Sequence, residues 1–250
     1  KIESLRQEVA RLQERFAGDI AIIGVAVDFP EAGDAQTFWQ NLLSGKNSIR
    51  SLAPERKQQA GAGRPTVPVF DAKGYLERIS GFDPGFFGIT EKDAVVMNPA
   101  QRLFLKNAWQ VLEDGGYSGA AVNGKNVGVY VGYSGDLAFK EYTELIAQTN
   151  ATIAAPAVVG NASAILPGRI SHLLNLRGPS MVIDTACSSS LVAVYEAVRA
   201  LQSGNCEMAV ASGVQIEIFP QQAKYQVGFE SADGNIRPFD KKANGTVAGE

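Results

Sequence analysis

Apolar residues recur at steps of three and four over Ile2, Leu5, Val9, Leu12 and Phe16, with Lys, Arg and Glu between them. That period predicts a charged helix over residues 1–16 with a narrow, coiled-coil-like seam. At about two heptads it is marginal alone in water. It reads either as a helix packed on its own domain or as a docking or dimerising linker. The pattern then changes. Ile20 to Val27 is almost continuously apolar, which predicts a strand buried on both faces. Asp34 is placed to cap a helix that carries Phe38, Trp39, Leu42 and Leu43 and is ended by Gly45. Residues 51–68, punctuated by Pro54, Gly61, Gly63, Pro65 and Pro68, read as a loop. Asn98 and Pro99 supply a cap and a first-turn proline to a helix that turns Leu105, Ala108, Trp109 and Leu112 inward. Val127, Val129 and Val131 alternate with Gly128, Tyr130 and Gly132, a strand with one closely approached face. Residues 134–160 are small and polar with weak periodicity, and Asn161 to Asn175 has helical content that Pro167 is expected to kink or break. Met208 to Val214 is a second buried strand.

One stretch carries candidate chemistry. Gly178 and Pro179 punctuate the chain, and Met181 to Ile183 make an apolar run suited to a short buried strand. Small residues follow around Cys187. Then Leu191, Val194, Tyr195, Val198 and Leu201 recur at helical steps until Gly204 closes the helix. This order puts Cys187 at a helix N-terminus, where unpaired N–H groups and the positive end of the dipole favour a thiolate. The same N–H groups suit an oxyanion. Against this stands a plain structural reading, because unpaired cysteines are commonly buried. The residues by themselves leave both open.

Composition narrows the function classes. Of 250 residues, 45% are hydrophobic and 20% charged, as in an ordinary globular chain. Net charge is −3 and basic residues are not clustered, which argues against nucleic acid. No apolar run reaches the ~20 residues of a membrane span, and the opening Lys-Ile-Glu-Ser-Leu-Arg lacks a signal-peptide core. Two cysteines make no disulfide framework, so a cytoplasmic setting is expected, although a Cys187–Cys206 bridge remains a possible pairing. Cys206 lies in a turn without basic neighbours and reads as structural. His172 is the one histidine, so a Cys187–His172 pair has to be weighed against a structural histidine. One histidine and no Cys-x-x-Cys offer no metal site.

The string Asp184-Thr185-Ala186-Cys187-Ser188-Ser189-Ser190-Leu191 resembles the active-site signature of the β-ketoacyl synthases of modular polyketide synthases and type I fatty acid synthases. Gly168-Arg169-Ile170-Ser171 and Leu176-Arg177-Gly178-Pro179-Ser180 are similar to that family's lead-in, Ile20–Gly24 with Phe29-Pro30 to its opening, and Gly81–Ile89, Pro238-Phe239-Asp240 and Gly245–Glu250 to further blocks. The resemblance implies a thiolase-like condensing-enzyme fold, α/β in five layers αβαβα, of which the first half is present. Residues 1–17 are then a linker or docking helix, and residues 18–250 the N-terminal part of a ketosynthase domain. It implies an acyltransferase. Cys187 accepts an acyl chain from an acyl carrier protein and a malonyl-type extender condenses with loss of CO2. Substrates ride on phosphopantetheine and the domain binds no cofactor of its own. A homodimer, neighbouring synthase domains and no membrane or nucleic acid partner are implied as well. The family's two catalytic histidine blocks and its Gly-Phe-Gly-like loop are absent, so those histidines are expected beyond residue 250. His172 stands where the family usually has an aromatic residue, and Asn98 where it more often has Asp. Relatives that only decarboxylate carry Gln in place of the nucleophile, whereas this chain has Cys187. Asn161–Arg169 looks more like synthases served by a separate acyltransferase. Alternative readings are a fatty-acid or starter-type condensing enzyme, or a non-catalytic structural or docking piece. A lone half is expected to expose a sheet face and to aggregate.

Overall fold

Alternating valine and glycine make the strand around which the first structural unit is built. The computed structural model describes residues 1–61, 72–117, 119–149, 157–218 and 228–250. In chain order its elements are α1 (Ile2–Ala17), α2 (Ala35–Leu43), α3 (Pro54–Gly61), α4 (Glu91–Val96), α5 (Pro99–Asp114) and the short α6 (Gly119–Val122). There follow β1 (Val127–Gly132), α7 (Asp136–Thr149), α8 (Ile165–Leu173), β2 (Ser180–Ile183), a 3-10 turn at Ala186–Ser188, α9 (Ser189–Ser203) and β3 (Met208–Gly213). Two compact units form. The first comprises residues 1–25 with 83–214, the second residues 26–82 with 215–250.

In the first unit the sheet is parallel, in the order β2-β1-β3. Every residue of β1 is buried. Its register sets Gly132 beside Ile183 of β2 and Gly213 of β3, so all three strands end together. β2 is an edge strand, and Met181 stays 40% exposed instead of buried as its apolar run predicts. α9 crosses the sheet and packs on all three strands. Its packed face also differs from the expected one. Ser189, Ala193, Ala197 and Ala200 are buried, while Leu191 is 75% exposed and Tyr195 55%. Small side chains let the helix axis come close to the sheet, and close approach decides the face. Gly204 closes α9 in the left-handed conformation, as its position predicts.

The N-terminal helix forms and runs beside α9, with Ile2, Leu5 and Val9 exposed. The rest of the expected seam, Leu12 and Phe16, lies outside the described side chains. The strand expected over Ile20–Val27 does not form. Residues 20–28 carry no ladder, and Ile22 is 84% exposed. The end of α5 takes this segment instead. Val25 N–H donates to Asp114 Oδ2 at 2.8 Å, and Gly24 abuts the Val111 carbonyl so closely that a Cβ would not fit. A strand needs a partner ladder, and no edge of the three-stranded sheet meets this one.

Asn98 does cap α5, its Oδ1 accepting from Ala100 N–H at 2.8 Å, with Pro99 next in line. Leu105, Ala108 and Leu112 point inward as expected, and half-buried Trp109 meets Phe86 edge-on at 4.9 Å. Asn98 also donates to Tyr133 Oη, and its N–H donates to Asn161 Oδ1. Asn161 in turn donates to the Val96 and Ala157 carbonyls, and Arg169 to Gln101 and Gly160. Buried amides thus satisfy one another around the start of α5. Pro167 neither kinks nor breaks α8. It falls in the first turn, where its missing N–H has no helical partner to lose. A helix, α7, occupies part of the weakly periodic stretch 134–160, whose residues 150–156 lie outside the described ones.

In the second unit α2 starts at Asp34, whose carboxylate accepts from Thr37 N–H at 2.7 Å, and stops just before Gly45. The loop expected over 51–68 contains α3 instead, while residues 62–68 lie outside the described ones. α3 brings Arg56 onto Glu250. Both side chains are buried, 3% and 2% exposed. Arg56 Nη2 donates to Glu250 Oε1 at 2.8 Å, and its guanidinium also serves the Leu76 and Glu217 carbonyls. Glu250 takes the Leu76 and Glu217 N–H groups in return.

Candidate active site at the end of the parallel sheet

Ligand crevices in open parallel α/β sheets lie outside the C-terminal ends of the strands. Here those ends are Gly132, Ile183 and Gly213. Two of the three are glycine for a reason of space. A Cβ on Gly132 would lie 2.6 Å from Ser189 C and Ser190 N, and one on Gly213 would lie 2.6 Å from Ser190 Cβ. The missing side chains let the first turn of α9 sit directly over the strand ends. Tyr133 N–H then donates to the Ile183 carbonyl at 3.1 Å and Val214 N–H to the Gly132 carbonyl at 3.1 Å, tying the rim together.

Between Ile183 and α9 the chain makes a tight turn. Ala186 has φ +55°, a left-handed conformation that costs a residue with a side chain about 1 kcal/mol or more. Hydrogen bonds hold it there. Asp184 Oδ1 accepts from Ala186 N–H at 3.1 Å. Ser188 Oγ donates to the Thr185 carbonyl at 2.8 Å. Ser189 Oγ accepts from Thr185 N–H at 2.9 Å and donates to the Ala186 carbonyl at 2.7 Å. Ser189 is buried, yet Ala186, Cys187 and Ser188 are exposed. Cys187 is a free thiol at the top of the turn, beside the N-terminus of α9, where the sequence places it.

The other sequence candidates separate from this place. Cys206 is also free and lies at the far end of α9. At 1.5 Å per residue the 15-residue helix holds the two sulfurs roughly 20 Å apart, which removes the Cys187–Cys206 bridge. Cys206 packs in the core with Tyr130, Ala193, Ala197 and Ala200. Burial pushes its thiol up, and burial with the neighbouring Cys206 pushes the Tyr130 phenol up to about 12. His172 is exposed in the last turn of α8. Its neighbour Ser171 meets Ser180, the first residue of β2, at 3.2 Å. Cys187 follows the other end of that strand. Roughly 10 Å of β2 and the turn beyond it therefore separate the two residues, and the structure forms no Cys187–His172 pair.

Gly132 lies on the closely approached face that its alternation predicts, but Ser189 and Gly213 are site residues that sequence reasoning passes over. Their only signal is smallness, at positions where a strand end and a helix start must touch.

The family model described as the N-terminal domain of β-ketoacyl synthase matches residues 17–250. Polyketide synthase PksM of Bacillus subtilis is 40% identical over 254 residues, covering 99% of this chain and 6% of that protein. Polyketide synthase ThaG of Burkholderia thailandensis is 38% identical over 242 residues, or 93% of this chain and 4% of its own length. Among solved structures, the ketosynthase from module 6 of the Bacillus subtilis bacillaene synthase superposes with a TM-score of 0.75 at 33% identity, covering 92% of this chain and 37% of its own. A Streptomyces albus oxazolomycin ketosynthase domain gives 0.74 at 31%, covering 92% and 41%. The chain thus spans a small part of its curated relatives and well under half of the solved domains. Its layered α/β architecture is that of the thiolase-like ketosynthases, and the chain belongs to the β-ketoacyl synthase family, in its N-terminal domain.

Proposed function

We propose that this chain contributes the nucleophile half of a polyketide synthase ketosynthase, with Cys187 as the acyl acceptor. The supporting observation is an exposed free thiol on a strained, hydrogen-bonded turn, over the joined ends of three parallel strands and at the start of a helix. Cys187 Sγ attacks the thioester carbonyl of an acyl chain carried on the phosphopantetheine of an acyl carrier protein. The new C–S bond forms, the carbonyl electron pair moves to oxygen, and N–H groups at the turn stabilise that oxyanion. Collapse breaks the donor's C–S bond and releases the carrier thiol, which takes up the proton that Cys187 loses. A malonyl-type extender then loses CO2, and its carbanion attacks the acyl-Cys187. The product is a β-ketoacyl thioester on the extender's carrier, and the cysteine is freed. Histidines that hydrogen-bond the extender's thioester carbonyl, and so stabilise the carbanion as CO2 leaves, are expected in the part of a ketosynthase that this chain does not match, since His172 stands away from Cys187. No bound cofactor is required. The partly exposed edge strand β2 suits a homodimer, with neighbouring synthase domains on the same polypeptide and a cytoplasmic setting that keeps both thiols reduced.

Intact-protein mass spectrometry tests this reading. Incubation of the protein with a short acyl thioester adds the mass of one acyl group, and Cys187→Ala abolishes the addition. Acylation that persists in Cys187→Ala at the unmutated level assigns the nucleophile elsewhere.

A further inference from the structure

The hydroxyl of Ser189 bridges two backbone groups that flank the strained residue of the turn. It accepts from Thr185 N–H at 2.9 Å and donates to the Ala186 carbonyl at 2.7 Å. The second bond fixes more than a carbonyl. The Ala186–Cys187 peptide is trans and planar, so its N–H points opposite to its C=O. With the carbonyl turned in toward buried Ser189, the Cys187 N–H is turned outward, to the exposed side of the turn where the thiol lies. Ser189 itself cannot drift. Its backbone rests on Gly132, where a Cβ would already be 2.6 Å from Ser189 C. Its neighbour Ser190 is confined in the same way by Gly213. The hydroxyl is therefore held by the floor of the sheet and in turn holds the peptide that precedes the nucleophile.

We infer that Ser189 is a positioning residue for acyl transfer, its hydroxyl aiming the Cys187 N–H at the oxyanion that forms when the thiol attacks a thioester. This rests on Cys187 being the nucleophile. The oxyanion gains from a donor only when the donor is preorganised toward it. Without the hydroxyl the Thr185 N–H loses its acceptor and the Ala186 carbonyl keeps only the Ser189 backbone N–H, so the left-handed turn, still tied through Ala186 N–H to Asp184, loosens. The peptide then rotates, and the Cys187 N–H turns with it. Ground-state binding of the acyl chain does not depend on that angle, so the effect falls on kcat and spares KM.

The test compares two reactions of one thiol in the protein's full chain. Transfer from an acyl thioester develops an oxyanion, whereas alkylation by iodoacetamide does not. Ser189→Ala is expected to lower kcat for acylation about ten- to hundred-fold with KM unmoved, while alkylation of Cys187 stays within about two-fold. Equal loss in both reactions, or acylation at the unmutated rate in the folded variant, overturns the proposal. Should Ser189→Ala fail to fold, deuterium exchange of the unmutated protein decides. A protected Thr185 amide supports the bridge, and an amide that exchanges at the free-peptide rate removes it. Cys187→Ala separates the two levels of the argument. If that variant is still acylated, the nucleophile reading has failed. If it is not, and Ser189→Ala is acylated normally, only the positioning role has failed.

Discussion

Arg56 and Glu250 stand 194 residues apart in sequence and face each other in the core of the second unit. Each satisfies backbone groups of Leu76 and Glu217 as well as its partner, and the Arg56 guanidinium lies 5.7 Å from the centre of the Tyr75 ring. Removing one member of such a pair leaves the other charge buried without compensation, a loss of about 3–5 kcal/mol. Removing both together avoids the lone buried charge but leaves the Leu76 and Glu217 backbone groups without those partners. Arg56→Met is therefore expected to destabilise the protein by about 3–5 kcal/mol in urea unfolding, and Arg56→Met with Glu250→Met to recover only part of that loss, since the Leu76 and Glu217 backbone groups stay unpaired. A single variant that unfolds at the unmutated urea concentration would show that the pair contributes nothing. The sequence hides this pair because nothing local marks it. Arg56 sits in a stretch that reads as loop, and its partner belongs to another part of the chain.

Contacts between elements turn on approach distance. Gly132 ends β1 under the first turn of α9, and the atoms a Cβ would meet are backbone, which has little room to yield. Gly132→Ala is expected to lift α9 off the strand ends, costing about 1–3 kcal/mol and, with the turn displaced, most of the acyl transfer to Cys187. Gly81→Ala is the control, because a Cβ there meets nothing within 4 Å. Thermal unfolding and acylation of both variants check the argument, and equal behaviour of the two would refute it. The same distance effect explains what the sequence leaves illegible at this scale. Features set by local chemistry are readable, as with the Asn98-Pro99 cap, the strand–turn–helix order around Cys187 and the Gly204 stop. Features set by a partner element are not. Ile20–Val27 has the composition of a buried strand but meets the end of α5, and α9 has a large apolar stripe but packs through its alanines. Ser189 is hidden for a further reason, since nothing in a run of three serines says which hydroxyl turns inward.

At the scale of the whole molecule the question is what the outward apolar residues do. In the first unit Leu191, Val194 and Tyr195 form a stripe on α9, and Ile22, Ile23 and Val25 are between half and 84% exposed. Scattered apolar residues at a surface need no explanation, but a contiguous stripe on one helix is a site of association. The net charge of −3 over 250 residues supplies little repulsion to oppose it. The solved ketosynthase domains are more than twice as long as the part this chain matches, covered to 37% and 41%. A polypeptide of these 250 residues alone therefore presents the stripe without anything the remainder of such a domain supplies. It is expected to sediment as species larger than 26.6 kDa and to bind a hydrophobic dye. Because the attraction is apolar, added salt should not disperse it. Replacing Leu191 and Tyr195 together by Gln should shift the distribution toward monomer. The α9 fold should survive, because neither side chain is among the residues the helix buries. A monodisperse 26.6 kDa species without dye binding would mean that the stripe is covered within the chain itself. Association that salt disperses and the double replacement leaves unchanged would place the contact on charged groups instead of α9.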